Sequence, residues 1–134
     1  MATYSIDLKN AAQRHYVASE LLYGNPLHKG VAGYLYGIAA ECAIKALMRE
    51  SGIRPLEGNR QADPFYAHFP NLKGMLSNRI QGRYSQTLSL FIRGPFMQEW
   101  DIAMRYAPEC DIPQNKVDGW RKQAKQAIDA MRSK

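Results

Sequence analysis

The chain has 134 residues, of which 46% are hydrophobic and 22% charged, a composition that excludes wholesale disorder and fits one folded domain. A core of this size needs neither disulfides nor a structural metal. The two cysteines, Cys42 and Cys110, have no CxxC partner, so neither a disulfide framework nor a zinc site is supported. Residues 1–67 carry 7 Lys or Arg against 6 Asp or Glu, whereas residues 68–134 carry 11 against 6. The excess of positive charge in the second half has two possible explanations. It can attract a polyanion such as RNA or a nucleotide, or it can simply keep a small protein soluble.

The first ten residues include Asp7 and Lys9 where a secretory signal would have its apolar core, so we expect no signal peptide. Residues 31–48 are the most apolar stretch, but Glu41 and Lys45 interrupt it. The stretch is also shorter than the roughly 20 apolar residues of a membrane span. We therefore expect a cytoplasmic protein with reduced thiols and no membrane segment.

Apolar side chains recur at three- and four-residue steps along the chain, which predicts helices throughout. The first helix is predicted over residues 5–23 and ends at the turn-forming residues 24–26. The second is predicted over residues 28–51, and its alanines leave room for a close neighbour. Its apolar surface is broad, which indicates a central helix buried on more than one side. One apolar side is formed by Val31, Leu35, Ile38, Cys42 and Leu47.

Residues 53–70 form a long proline-containing connection, a kind of loop that is often functional or mobile. A short third helix is predicted over residues 71–79, and a fourth begins near residue 83 or 84. Pro95 interrupts the fourth helix because it removes a backbone donor, and the apolar stripe resumes over residues 96–106. The last helix is predicted over residues 113–132. Together these elements predict an all-α, up-and-down bundle of four to five helices in a single domain, residues 1–134.

Four segments occur in an order that is typical of one helical family. Residues 33–47 read GYLYGIAAECAIKAL, an alanine-rich helix in which a glutamate is followed, after three residues, by Lys-Ala-Leu. The other segments are HYVA at residues 15–18, HFPNL at 68–72 and RYAP at 105–108. Over most of its length the chain thus resembles the HEPN (higher eukaryotes and prokaryotes nucleotide-binding) family.

The resemblance implies a HEPN-like bundle, often a homodimer, that binds a nucleotide or RNA and needs no cofactor. Some members are ribonucleases, and some pair with a nucleotidyltransferase in toxin–antitoxin or defence modules. Catalytic members carry an arginine followed, after four to six residues, by a histidine. After Arg105 the positions with this spacing are Cys110, Asp111 and Ile112, none of which is a histidine. We therefore predict a non-catalytic nucleotide- or RNA-binding domain.

Five side chains are predicted to form the ligand site: Glu41, Lys45, His68, Arg105 and Tyr106. Glu41 and Lys45 are one helical turn apart, so they can meet on one face. Glu41 then either forms an internal ion pair, with Lys45 or with an arginine of the fourth helix, or orients a cation that binds phosphate. The prediction of one site requires the second and fourth helices to meet, so that Glu41 and Lys45 lie beside Arg105 and Tyr106 in one polar notch.

The other three residues each allow two interpretations. Arg105 can grip a phosphate with two hydrogen bonds while Tyr106 stacks on a base. Alternatively, Arg105 caps its own helix and Tyr106 packs against the last helix. His68 can serve a ligand, or it can cap or pack beside the third helix.

Six further cations form either a solvated surface or an RNA track: Arg79, Arg83, Arg93, Arg121, Lys125 and Arg132. The histidines lack metal-binding spacing and the glycines fit no phosphate loop, so no metal is expected. Trp100 and Trp120 are expected in the core, because large aromatic residues dominate small-domain cores.

Two other functions are compatible with the sequence. One is a ribonuclease with a variant site around Arg105, Tyr106 and His68, because RNA cleavage needs a base, an acid and a cation near the phosphate. The other is an interaction module that dimerises, or binds a protein partner, through the small-residue face of the second helix. An adjacent nucleotidyltransferase gene would favour a paired module.

Overall fold

The computed structural model describes residues 3–133, so residues 1, 2 and 134 of the predicted domain lie outside it. Within that range the chain is all-helical, with five α-helices and no strand, which confirms the predicted all-α class. The helices are α1 (Leu8–Tyr23), α2 (Lys29–Glu50), α3 (Asn71–Ser77), α4 (Ser85–Ile92) and α5 (Gln114–Arg132). Short 3-10 helices occupy the connections at Pro26–His28, Arg60–Ala62, Pro64–Tyr66, Ile102–Tyr106 and Glu109–Asp111. One cluster of buried apolar side chains draws on all five α-helices.

The hairpin of α1 and α2 has clear local signals at its ends. The Asp7 carboxylate accepts a hydrogen bond from the backbone amide of Asn10 at 3.0 Å and caps α1. The Asn25 side chain accepts from the amide of Leu27 at 2.9 Å and starts the turn into α2. Lys9, near the start of α1, pairs with Glu50 at the end of α2, with Nζ and Oε1 3.3 Å apart. The two helices therefore run antiparallel.

Helix α2 is the centre of the bundle, as its broad apolar surface predicts. Fourteen of its 22 residues are buried, including the alanines at positions 39, 40, 43 and 46. Gly33 lets α5 come close, because a Cβ there would lie 2.9 Å from Val117 Cγ2. The small-residue face is thus covered inside the chain and is not available to a partner while the bundle is closed. Val31, predicted inward, is instead 46% exposed.

Helix α2 also bears on the question of a membrane. The stretch Pro26–Glu50 is long and apolar enough to span a bilayer by length and composition. However, 72% of its most apolar window is buried inside the bundle. A central core helix meets the same criteria, and burial accounts for its composition.

A polar network joins three helices at one end of the bundle. The carboxylate of Glu20 on α1 accepts from the Tyr36 hydroxyl of α2 at 2.5 Å. It also accepts from Arg121 of α5, at 2.9 Å from Nε and 3.1 Å from Nη2. Burial and the Glu20 carboxylate raise the pKa of Tyr36, so this phenol remains a donor. The network fixes α1, α2 and α5 relative to one another.

Residues 96–106 do not form the predicted continuous helix. Met97 and Glu99 have positive φ values of 55° and 69°, which a helix does not allow. The chain is held there by tertiary contacts instead: the amide of Met97 donates to Gln123 Oε1 of α5 at 2.8 Å, and Trp100 is buried. Regular structure resumes only as the 3-10 helix Ile102–Tyr106.

Candidate functional site

Arg105 and Tyr106 end the 3-10 helix that follows this irregular segment. Asp101 starts that helix, since its carboxylate accepts from the amide of Ala103 at 2.8 Å. Arg105 Cζ lies 4.9 Å from the centroid of the Tyr106 ring, within cation–π range. Both side chains are exposed, Tyr106 to 78%. Arg105 has no ion-pair partner among residues 3–133.

A cleft of about 270 Å³ opens beside Arg105. It is lined by Gly30, Val31, Tyr34, Met104, Arg105, Ala107, Glu109 and Ile112. The phenols of Tyr106 and Tyr34 raise the pKa of Arg105, which keeps the guanidinium charged. Glu109 Oε2 accepts from the amide of Gly30 at 2.5 Å, in the first turn of α2, where the helix dipole favours a carboxylate. The cleft therefore combines a cation, a carboxylate, a tyrosine ring and apolar walls.

Trp100 supports this cleft from the core. Its ring stacks on Tyr34, with centroids 5.9 Å apart and planes inclined by 16°. Its Nε1 donates to the backbone oxygens of Gly33 and Tyr34, each at 3.2 Å. Trp100 and Trp120 are 1% and 3% exposed, which confirms that both belong to the core. The wall of the cleft is thus attached to rigid packing rather than to a loop.

Glu41, Lys45 and His68 form a second polar group. Glu41 is 2% exposed, and its Oε1 lies 2.9 Å from His68 Nδ1. The amide of Phe69 donates to Glu41 Oε2 at 2.9 Å. Lys45 Nζ lies 4.0 Å from Glu41 Oε1, which confirms the predicted ion pair at the limit of its range. The closer partner of Glu41 is His68, and within residues 3–133 no arginine of the predicted fourth helix, residues 83–106, bonds to Glu41.

Burial controls the charges of this second group. Burial raises the pKa of Glu41, although the hydrogen bond with His68 and the positive charge of Lys45 both act to lower it. Burial also lowers the pKa of Lys45, although the negative charge of Glu41 acts to raise it. The Lys45 side chain is only 9% exposed, so the expected contact between Lys45 and a phosphate is wrong: this ammonium group is enclosed. The His68 side chain is 44% exposed, so part of its ring is open to other partners while Nδ1 contacts Glu41.

The five predicted site residues do not meet in one notch. Arg105 borders α2 at Tyr34, whereas Glu41 comes seven residues later, about 10 Å along the helix axis. The packed rings of Phe69 and Trp100, with centroids 6.2 Å apart, connect the two groups. The structure therefore replaces the predicted site with an exposed Arg105 cleft and a largely buried Glu41 group.

The six predicted surface cations do not form one track either. Arg121 is paired with Glu20, and Lys125 Nζ lies 2.7 Å from Asp129 Oδ2. Arg132 is exposed in the last turn of α5, and Arg93 is exposed directly after α4. Arg79 and Arg83 lie in the connection between α3 and α4. Arg121 and Lys125 therefore each have a carboxylate partner on the surface of the bundle.

Two residues of the cleft were not predicted from the sequence. Tyr34 precedes Glu41 by two helical turns, so its position on the same side of α2 was a usable signal. Glu109 carries no such signal, because only the fold of the 3-10 helix Glu109–Asp111 brings it back to Gly30.

Among residues 3–133, no group of three or more His, Cys, Asp or Glu side chains is arranged to hold a metal ion. Cys42 and Cys110 are free thiols, and burial raises the pKa of Cys42. No protein-family model, curated protein or solved structure matches the chain. The resemblance to the HEPN family therefore stays a prediction.

Proposed function

We propose that the protein is a HEPN-like module that binds a nucleotide, or a nucleotide unit of RNA, at the Arg105 cleft without hydrolysing it. The observation that carries this proposal is the exposed Arg105 guanidinium, which no carboxylate among residues 3–133 neutralises and which lies beside Tyr106 and Tyr34. A guanidinium in such a place can bind a phosphate through two parallel hydrogen bonds.

The remaining groups of the cleft suit the rest of a nucleotide. The exposed Tyr106 ring can stack on a base. The Glu109 carboxylate has one oxygen bound to the amide of Gly30, and the other can accept from a base amino group or a sugar hydroxyl. No histidine is among the cleft-lining residues that the structure describes. Binding without cleavage is accordingly the function we assign to the cleft.

Titration of labelled ATP and labelled UMP, each of which is a single nucleotide unit, at two salt concentrations tests the proposal. Arg105→Ala should weaken binding about tenfold to a hundredfold, the effect of losing a charge-assisted hydrogen bond. Arg132→Ala removes the same charge from the far end of α5 and serves as the matched control. Binding that is absent in the wild type, or unchanged in Arg105→Ala, would refute the proposal.

A second candidate is the ribonuclease with a variant site, and the contact between Glu41 and His68 favours it. A buried carboxylate 2.9 Å from Nδ1 orients an imidazole whose ring is partly exposed, an arrangement suited to a general base. Incubation with total RNA distinguishes the two functions. Cleavage that disappears in His68→Ala would support the ribonuclease, whereas no cleavage, or cleavage that survives the substitution, would eliminate it.

A homodimer is the third proposal, now through a different surface. Val17 and Leu21 of α1, Leu27 of the turn and Val31 of α2 are 54%, 77%, 76% and 46% exposed. Apolar side chains that are exposed near one another often mark an interface. Size-exclusion chromatography with light scattering should give a dimer that Leu21→Asp dissociates. A wild-type monomer would contradict this.

The nucleotidyltransferase partner and the role in a toxin–antitoxin or defence module follow from the family resemblance alone, whereas the proposed cytoplasmic location follows from the polar first ten residues and the cysteines without a CxxC partner. Co-expression with the product of a neighbouring nucleotidyltransferase gene, followed by purification of one partner, would test the first two. Failure of the two proteins to co-purify would remove the paired-module hypothesis.

A further inference from the structure

Arg49 lies in the last turn of α2, and Arg54, Arg60, Arg79 and Arg83 lie on segments that contact this end of the helix; the five are here called the arginine rim. Arg60 lies over the ring of Tyr66, which lines one cleft with Arg49. Arg79 Nη2 donates to the backbone oxygen of Arg54 at 2.8 Å, which joins the end of α3 to the segment after α2. Ser51 Oγ accepts from the amide of Tyr84 at 3.2 Å and so brings Arg83 to the same place. Tyr34, at the Arg105 cleft, lies 17 residues before Ser51, about 25 Å along the helix axis. The arginine rim is therefore a separate surface from the cleft.

Few carboxylates balance this surface. Residues 64–98, which form α3, α4 and their connection, contain no Asp or Glu. Asp63 is fully buried and accepts from two backbone amides. Asp7 and Glu50 line one cleft with Arg49, and Glu50 pairs with Lys9. Glu57 is the exposed acid on the segment that carries Arg54 and Arg60. A positive potential at the end of α2 follows.

Aromatic rings accompany the cations of the arginine rim. Arg60 Cζ lies 4.9 Å from the centroid of the Tyr66 ring, which is 49% exposed. Arg83 Cζ lies 5.8 Å from the Tyr84 centroid. Guanidinium groups beside tyrosine rings provide both phosphate contacts and base-stacking faces, the combination that binds single-stranded nucleic acids.

Arg79 contributes an incompletely satisfied guanidinium group. Its Nη1 is shielded from solvent and meets no hydrogen-bond acceptor among residues 3–133. A buried donor left in that state costs free energy. A phosphate oxygen is the acceptor that best suits an arginine fork.

We propose that the arginine rim binds the phosphodiester backbone of a single-stranded nucleic acid, with Tyr66 stacking on a base. The rim contacts several successive phosphates, so affinity falls with salt as bound counterions are released. Exposed tyrosine rings favour a strand whose bases are unpaired over a duplex. This site does not depend on the Arg105 cleft and would exist whether or not the cleft binds a nucleotide.

Fluorescence anisotropy with labelled oligouridine and oligothymidine strands of about 15 nucleotides tests the proposal. Contact with two to five phosphates predicts a slope of about −1.4 to −3.5 for log affinity against log salt. Comparison of the affinities for the RNA strand and the DNA strand shows which of the two nucleic acids the arginine rim prefers. Arg54→Ala/Arg83→Ala should weaken binding at least about tenfold at low salt. The matched control, Lys122→Ala/Arg132→Ala, removes the same charge from exposed positions of α5 and should change affinity less than about twofold.

Three results would overturn the proposal. They are a wild-type protein that binds neither strand, an equal loss in the two double variants, and equally tight binding to anionic lipid vesicles. Arg105→Ala separates this site from the cleft. It should keep strand binding even where it abolishes nucleotide binding, and loss of strand binding in Arg105→Ala would show that the rim is not an independent site. Circular dichroism of each variant confirms that the helices persist.

Discussion

The indole ring of Trp100 lies directly on Gly37 of α2, and a Cβ at that position would overlap the ring. Two hydrogen bonds from Nε1 to the backbone of α2, each 3.2 Å long, hold the indole in this orientation. The contact anchors residues 93–101, which have no helix of their own, and it supports Tyr34 at the Arg105 cleft.

Replacing Gly37 should therefore destabilise the protein. Gly37→Ala forces Trp100 away from α2, and we expect a loss of about 1–3 kcal/mol in the free energy of unfolding, the usual cost of overpacking. Urea denaturation followed by tryptophan fluorescence measures it. Gly119→Ala is the matched control, because Gly119 lies within α5 with no atom within 4 Å of its Cβ position. That change should stabilise by about 0.5–1 kcal/mol, and effects of the same sign at both positions would contradict the Trp100 contact.

The ion pair of Glu20 and Arg121 should make stability depend on pH. Arg121 holds the pKa of Glu20 below its ordinary value of 4.5. The stabilisation is therefore fully present above 4.5 and is lost as the pH falls through the lower pKa of the folded state. Because the side chains are 33% and 43% exposed, solvent screening keeps the effect at about 1 kcal/mol or less.

The corresponding variant is Glu20→Gln, which retains an acceptor for Tyr36 but does not titrate. Urea denaturation between about pH 3 and pH 6 should show the wild type more stable at the upper end, with the difference shrinking toward the lower end. A difference that stays constant over this range would mean that the Glu20 charge contributes nothing.

The buried pair of Glu41 and Lys45 should behave as a coupled unit. Glu41→Gln leaves the Lys45 ammonium without its counter-charge in a buried place, and we expect a loss of about 3–5 kcal/mol. Lys45→Met in the same background removes the stranded charge and should restore part of the stability. A double-mutant cycle from urea denaturation gives the coupling energy. Strictly additive losses would show that the two side chains do not interact across the 4.0 Å between Lys45 Nζ and Glu41 Oε1.

Alanine substitutions at two glycines with similar positive φ angles distinguish the cost of backbone strain from the cost of steric overlap. Gly58 has φ of 74° and no atom within 4 Å of its Cβ position, so Gly58→Ala should cost only the left-handed penalty of about 1–2 kcal/mol. Gly82 has φ of 84°, and a Cβ there would overlap the backbone oxygen of Ser51. Gly82→Ala should therefore cost clearly more in thermal or urea denaturation. It should also weaken strand binding, because it displaces Arg83 from the end of α2; equal costs at both glycines would count against this packing.

Local signals were enough to predict most of the helices. The second helix, predicted over residues 28–51, is observed as Lys29–Glu50, and the last, predicted over 113–132, as Gln114–Arg132. Apolar periodicity and proline or glycine at the ends act over one or two turns. Phe96 and Trp100 are spaced like residues on a helix, yet positive φ at Met97 and Glu99 rules a helix out. There the burial of large side chains against α2 and α5 overrides the local pattern.

The part of the candidate site that depends on local helix geometry was predictable from the sequence. Glu41 and Lys45 are one turn apart, so their pairing follows from helix geometry. The contact of Glu41 with His68 spans 27 residues of sequence, and the contact of Gly30 with Glu109 spans 79. The periodicity of apolar residues does not predict such contacts between residues that are distant in sequence.

From its sequence alone, this protein was determined to be an all-α bundle with a central α2 and a Glu41–Lys45 pair, because these features depend on neighbours within a few turns. Only the tertiary structure decided that Arg105 lies apart from Glu41, that the small-residue face of α2 points inward, and that arginines from three segments meet at the end of α2. These relations depend on which bulky side chains fill the space between helices, as Trp100 does on Gly37, and that packing is a property of the whole chain.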